Sequence, residues 1–176
     1  MIKIDCEKSL EIFRRGIVEL IPEEELIKKL KENYPIAIKA TFLGAHAFPV
    51  AYKENHQAYI DLIIREMLPK IAAENLADYI DAFLETGYFS VEETIQIMEA
   101  GKKYGLTPKI HVNQFTAIGG IKACVEHGAL SVDHLEIVTE DDIKALKNTA
   151  CMPVALPSCS YFISIPYTPA RELLNA

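Results

Sequence analysis

The sequence predicts an α/β fold of parallel strands, and three observations carry that prediction. Short apolar runs alternate with amphipathic stretches of helical period five times along the chain. The runs are apolar nearly throughout, as expected of strands covered on both faces. Turn residues, chiefly Gly, Pro and Ser, separate the runs from the helices. Two architectures fit this pattern: part of a (β/α) barrel, or an open doubly wound sheet.

The elements follow in chain order. Residues 1–33 read as a helical segment, with helices expected over Glu7–Leu20 and, after Pro22, over Glu23–Glu32. The Glu-Lys-rich stretch 23–32 suits a solvated helix face. Residues 34–176 form the β/α domain. Its first strand is expected over Ile36–Leu43, after Pro35 and before Gly44. The helix from His56 to Glu74 places Tyr59, Leu62, Ile63, Met67 and Ile71 on one face. Pro69 should kink it or end its regular part. Asp78–Leu84 is the second strand. Ser90 and Glu93 form a capping box for a helix over Val91–Tyr104, and Gly105 suits its C-terminal turn. Pro108–Val112 is the third strand, followed by a helix over Ile118–Glu126. The fourth strand is expected over Ala129–Asp133, with Thr139 and Asp142 capping the helix through Lys147. The fifth strand is Cys151–Leu156. A loop rich in Ser, Tyr and Pro then leads to a last helical turn at Pro169–Leu174.

Composition narrows the class. The chain has 176 residues, with 18 basic and 25 acidic side chains giving a net charge of -7. Half of the residues are hydrophobic, enough for a core, which excludes a disordered chain. The acidic balance argues against nucleic acid, and no apolar run approaches the ~18 residues of a membrane span. The first residues, MIKIDCEKSLEIFRR, carry charges where a signal peptide needs an apolar stretch, so a cytoplasmic protein is expected. The cysteines at 6, 124, 151 and 159 form no CxxC pair. They are expected to be reduced thiols, at least two of them in the core and Cys159 the more exposed.

Ligands of parallel α/β folds meet the C-terminal ends of the strands. There the sequence places His46, Glu85, His111, Asn113, Gln114, Asp133, His134, Ser158 and Ser160. Three of the five histidines therefore share one rim, while His56 and His127 fall on helices. Imidazole binds zinc and iron and titrates near neutral pH, so metal-assisted hydrolysis is the natural hypothesis. Glu85 serves equally as a cap of the next turn, and Asp133 as an orienting group. Lys39 and Lys109 alternate with apolar strand residues. A Schiff-base lyase using them is possible in principle, but ordinary snorkelling side chains are the better reading.

These strand ends resemble those of the imidazolonepropionases, metal-dependent amidohydrolases of histidine degradation. The matching stretches are TFLGAHAFP (41–49), REMLPKIA (65–72), ETGYFSVE (85–92), AGKKYGL (100–106), KIHVNQF (109–115), GGIKACVEHGALSVDHL (119–135) and PAREL (169–173). Together they cover about residues 33 to 176. The resemblance implies a partial (β/α) TIM-type barrel of about five parallel strands, each followed by a helix. It implies a hydrolase that opens the ring of 4-imidazolone-5-propanoate with metal-activated water, giving N-formimidoyl-glutamate. One zinc or iron ion, a cytoplasmic setting and a homo-oligomer go with it. By position, His111 matches a metal ligand, and His134 matches a catalytic histidine beside the metal-bound water. His46 matches a substrate-binding histidine. Gln114 stands where many members have a glutamate against the ring, in a substrate-binding and catalytic place. Glutamine hydrogen-bonds but does not take a proton, so proton handling falls to His134.

The departures are equally specific. The HxH pair of the family's first strand, the aspartate of its eighth, and its upstream arginine and tyrosine have no counterpart here. A full barrel takes about 250 residues, so the sequence reads as the central portion of such a protein. The alternative function is that of a non-catalytic, self-associating α/β fragment, because open sheet edges invite pairing.

Overall fold

The structure is a computed structural model, and it describes residues 37–176 together with the isolated positions 28 and 35. The helices expected over 7–20 and 23–32 lie outside the described residues. The rest is a five-stranded parallel sheet with strand order β1-β2-β3-β4-β5. Its strands are β1 (Thr41–Ala45), β2 (Tyr79–Leu84), β3 (Thr107–Val112), β4 (Ser131–His134) and β5 (Met152–Ala155). This is the barrel-like order, in which each strand pairs with the next in sequence, and not the doubly wound one.

Helices fill each crossover. The first is α1 (His56–Leu62), which runs through a π-helical turn at Ile63–Met67 into α2 (Leu68–Ala73). Asn55 caps it, its side chain accepting from the Ala58 amide at 3.1 Å. The helix continues past Pro69, but its regular α part gives way to the π turn just before it. Pro69 removes the N–H that would bond the carbonyl four residues back, and the wider π turn around that carbonyl absorbs the loss. α3 (Val91–Lys103) has the expected capping box at Ser90 and Glu93. Its end is a Schellman turn, with Leu106 N donating to Gly101 O at 3.1 Å and Gly105 N to Lys102 O at 3.0 Å. Gly105 meets the requirement with φ +77°. α4 (Gly120–Glu126) and α5 (Glu140–Leu146) follow, the latter with the predicted Thr139–Asp142 capping box.

Several boundaries differ from the sequence reading. β1 starts at Thr41 instead of Ile36, and β4 runs Ser131–His134, two residues later at its start. The Ser-Tyr-Pro segment expected to be a loop contains α6 (Pro157–Ile163), which precedes α7 (Ala170–Asn175). Pro157 opens α6, where a missing N–H costs nothing. A tertiary bond also holds it, with Ser160 Oγ donating to Glu136 Oε1 at 2.7 Å. That bond is invisible to local propensity.

The core lies between the sheet and its helices. Ile80, Leu84, Ile110, Val112 and Val132 face Ile97, Met98, Ile121 and Cys124, all buried. Helix and strand approach closely where Gly101 of α3 crosses β2. A Cβ there would lie 2.7 Å from Ile80 Cγ2 and 2.9 Å from its Cδ1. Overpacking of this kind costs about 1–3 kcal/mol, against about 1 kcal/mol gained in helix propensity. Gly101→Val should therefore lower the urea midpoint clearly and Gly101→Ala slightly. A midpoint that rises in both variants would show that α3 has room to move off the sheet.

Candidate metal centre

Side-chain alternation and register build the site. In the parallel ladder Phe83 pairs with His111, His111 with Asp133, and Lys109 with Ser131. The residues between them, Ile80, Ile110 and Val132, point to the helices. Asp81, Phe83, Lys109, His111, Ser131 and Asp133 therefore share the opposite face of the sheet.

At its centre His46, Asp81 and His111 offer ligand atoms within 4.8 Å of one another. Nδ1 of His111 lies 2.9 Å from both oxygens of Asp81, and the His111 backbone N–H donates to Asp81 Oδ1 at 3.3 Å. Nε2 of His46 lies 3.4 Å from Asp81 Oδ1. The two imidazoles meet edge to face, with ring centroids 4.6 Å apart. His46 sits just past β1, where a register shift between Phe42 and Ala45 breaks the regular pairing with β2.

Asp81 is 2% exposed. Burial raises its pKa, but hydrogen bonds from His111 and His46 and their charges outweigh it, leaving a value of about 2 against an ordinary 3.8. A depressed carboxyl pKa gives stability that is complete above the unfolded value and is lost as pH falls through the folded one. Asp81 should thus contribute about 2 kcal/mol above pH 4, declining toward pH 2. Urea unfolding at pH 5 and pH 2.5 checks this, since Asp81→Asn should flatten that part of the profile. An equal slope in both proteins would assign the acid lability to other carboxylates.

His134, the last residue of β4, lies beside this group, its ring centroid 5.0 Å from that of His111. It and Leu135 have φ of +90° and +61°. Two consecutive non-glycine residues in this region store strain, held here by Thr168 Oγ1 donating to the His134 carbonyl at 2.6 Å. Nδ1 of His134 lies 3.5 Å from Oε1 of the buried Glu136, the oxygen that also accepts from Ser160. Gln114 contacts the last segment of the chain, with Nε2 3.7 Å from Cys159 Sγ.

Several other candidates have structural occupations. Glu85 is buried and binds the β3–α4 loop, accepting from Phe115 N at 2.8 Å, Thr116 N at 3.2 Å and Thr86 N at 2.8 Å. Thr116 Oγ1 donates to it as well. Asn113 ties Ile137 O and Asp142 together. Asp133 accepts from Ser131 Oγ at 2.7 Å. Lys109 donates to Ser131 Oγ at 2.6 Å, and Lys39 pairs with Asp78 at 2.7 Å on the surface. His56 and His127 pair with Glu93 and Glu99. Cys124 and Cys151 are buried free thiols, and burial pushes Cys151 up to about 11. Two buried acids, Asp81 and Glu136, were not singled out by the sequence reading. The signal for Asp81 was a lone charge between Ile80 and Ala82 in an otherwise apolar run.

No family model matches the chain. Individual relatives match closely. The imidazolonepropionase of Flavobacterium psychrophilum is 78% identical over 151 residues, 86% of this chain. That of Flavobacterium johnsoniae is 70% identical over the same length. Over 86% of its length the chain corresponds to part of an imidazolonepropionase. The match extends to the imidazolonepropionase of Shewanella piezotolerans, 39% identical over 172 residues and 98% of this chain. The chain spans 37% of the length of the two Flavobacterium imidazolonepropionases and 40% of the Shewanella one. Among solved structures, a type I 3-dehydroquinate dehydratase from Clostridium difficile bears a faint likeness, with TM-score 0.40, 15% identity, and 92% of this chain and 74% of that one covered. The stretches that carried the sequence resemblance hold His46 and His111 of this cluster. Asp81 lies between two of them.

Proposed function

We propose that this chain carries part of the site of an imidazolonepropionase. The reaction would be hydrolytic opening of the ring of 4-imidazolone-5-propanoate. Water adds across the ring amide C–N bond, its oxygen to the carbonyl carbon and a proton to the nitrogen, giving N-formimidoyl-glutamate. The observation that carries this reading is the cluster of two imidazoles and a buried carboxylate beside a third imidazole at the strand ends. The imidazoles fit a borderline-soft divalent ion such as zinc or iron, with the Asp81 carboxylate held against them. His111 would hold the ion, His46 is a second imidazole within reach, and Asp81 contacts both. When bound, such an ion polarises a carbonyl and lowers the pKa of water.

The chain's own residues supply the rest. His134 would hold the proton taken from water and return it to the ring nitrogen. Glu136 lies behind its Nδ1 and suits a ring that becomes charged. His46 and Gln114 would hydrogen-bond the substrate, Gln114 after turning from Cys159. The protein would work in the cytoplasm. Metal analysis and loss of imidazolone absorbance test this reading. Stoichiometric metal with turnover supports it, and metal-free inert protein removes catalysis by this length of chain.

A second reading is a self-associating α/β module. It is favoured by the solvent-facing side of β5, where Met152 is 61% exposed, and by Phe162 of α6 at 86%. Sedimentation over a range of concentrations decides it, because an unchanging monomer excludes self-association. Among the described residues no helix is long and apolar enough to cross a membrane.

A further inference from the structure

Asp81 is the one carboxylate in contact with two histidines among the described residues of this face. It reaches His111 at two points, the ring Nδ1 at 2.9 Å and the backbone N–H at 3.3 Å. Both oxygens stand at the same distance from Nδ1. An ionised carboxylate only accepts hydrogen bonds, so a neutral His111 ring must place its proton on Nδ1 to satisfy this contact. Its Nε2 is then the basic nitrogen. Because the same carboxylate also grips the backbone of His111, ring and strand are fixed together. Nε2 of His46 lies 3.4 Å from Oδ1 of the same carboxylate.

We infer that Asp81 is a positioning residue that sets the tautomer of His111, making Nε2 the nitrogen that would meet a metal ion. Metal-binding histidines are commonly oriented by a carboxylate on their other nitrogen, and loss of such a partner costs about 10–100-fold in metal affinity. Burial gives Asp81 the rigidity this role needs, since its β2 neighbours Ile80 and Ala82 are fully buried in the core. The metal half of this inference rests on the hydrolase reading. The tautomer half does not.

The test uses the full 176-residue chain. In metal-free protein with ¹⁵N-labelled histidine, long-range proton–nitrogen spectra at pH 8 identify the protonated nitrogen of each ring. His111 should carry its proton on Nδ1 in the wild type, and Asp81→Leu, which removes the acceptor, should shift the ring toward the Nε2–H form. Zinc affinity, read by chelator competition, should fall about 10–100-fold in Asp81→Asn. A wild-type His111 protonated on Nε2 overturns the proposal without any variant. So does an Asp81→Leu protein whose tautomer is unchanged. A cobalt-loaded chain whose absorption changes coordination class in Asp81→Asn would make Asp81 a ligand, and that also sinks the positioning role. Wild-type protein that shows the Nδ1–H tautomer but binds no zinc refutes the hydrolase reading and leaves the positioning role standing.

Discussion

Replacing Glu85 by alanine should cost the fold about 3–5 kcal/mol, among the largest losses of any single change in this chain. Glu85 is buried at the end of β2 and accepts from three backbone amides and the Thr116 hydroxyl. Hydrogen bonds to a charged group contribute about 1.5–3 kcal/mol each. Phe115 is half exposed, so water recovers part of the loss, which brings the total below the simple sum. Glu85→Gln keeps one acceptor oxygen and should fall between alanine and wild type. Urea unfolding at pH 7 gives the comparison. A loss under about 1 kcal/mol in the alanine variant would mean that the β3–α4 loop holds its shape without this carboxylate.

His111→Ala should remove metal binding and lower stability together. The variant deletes the imidazole that the family resemblance assigns to the metal. It also leaves the Asp81 carboxylate buried with its main ring partner gone. Breaking a buried pair by removing one member costs about 3–5 kcal/mol. Affinity for zinc should drop by more than the 10–100-fold expected when only an orienting partner is lost. His111→Gln separates the two effects, since its amide can still donate to Asp81. It should recover much of the stability and little of the affinity. Retention of tight zinc binding by both variants would place the metal elsewhere.

Much of the scaffold was legible because it is written in local chemistry. The capping boxes at Ser90–Glu93 and Thr139–Asp142 follow from spacing alone, and the structure contains both. The three rim histidines were legible because parallel strands with crossover helices bring successive strand ends to one side. Asp81 was not, since it sits mid-strand, where one charge among apolar neighbours looks like noise. Its meaning depends on which face of β2 the helices cover, and that is a tertiary fact. α6 was missed for a related reason, its Ser-Cys-Ser start being a poor helix former until Ser160 meets Glu136. The strand end at Glu85 was read as an even choice between cap and ligand. The three amides converging on it come from two separate loops, and no sequence window contains both.

The consecutive strand order has a bearing on how the chain is made. Successive strands begin between 21 and 38 residues apart. At ribosomal rates of about 5–20 residues per second, each arrives roughly one to eight seconds after the last. Local helix formation is faster by orders of magnitude. Every new strand therefore finds its pairing edge already synthesised, and none must insert between two earlier ones. Assembly can proceed from the first strand toward the last as the polypeptide emerges. The contact of the third-strand histidine with the second-strand carboxylate does not depend on the fourth strand.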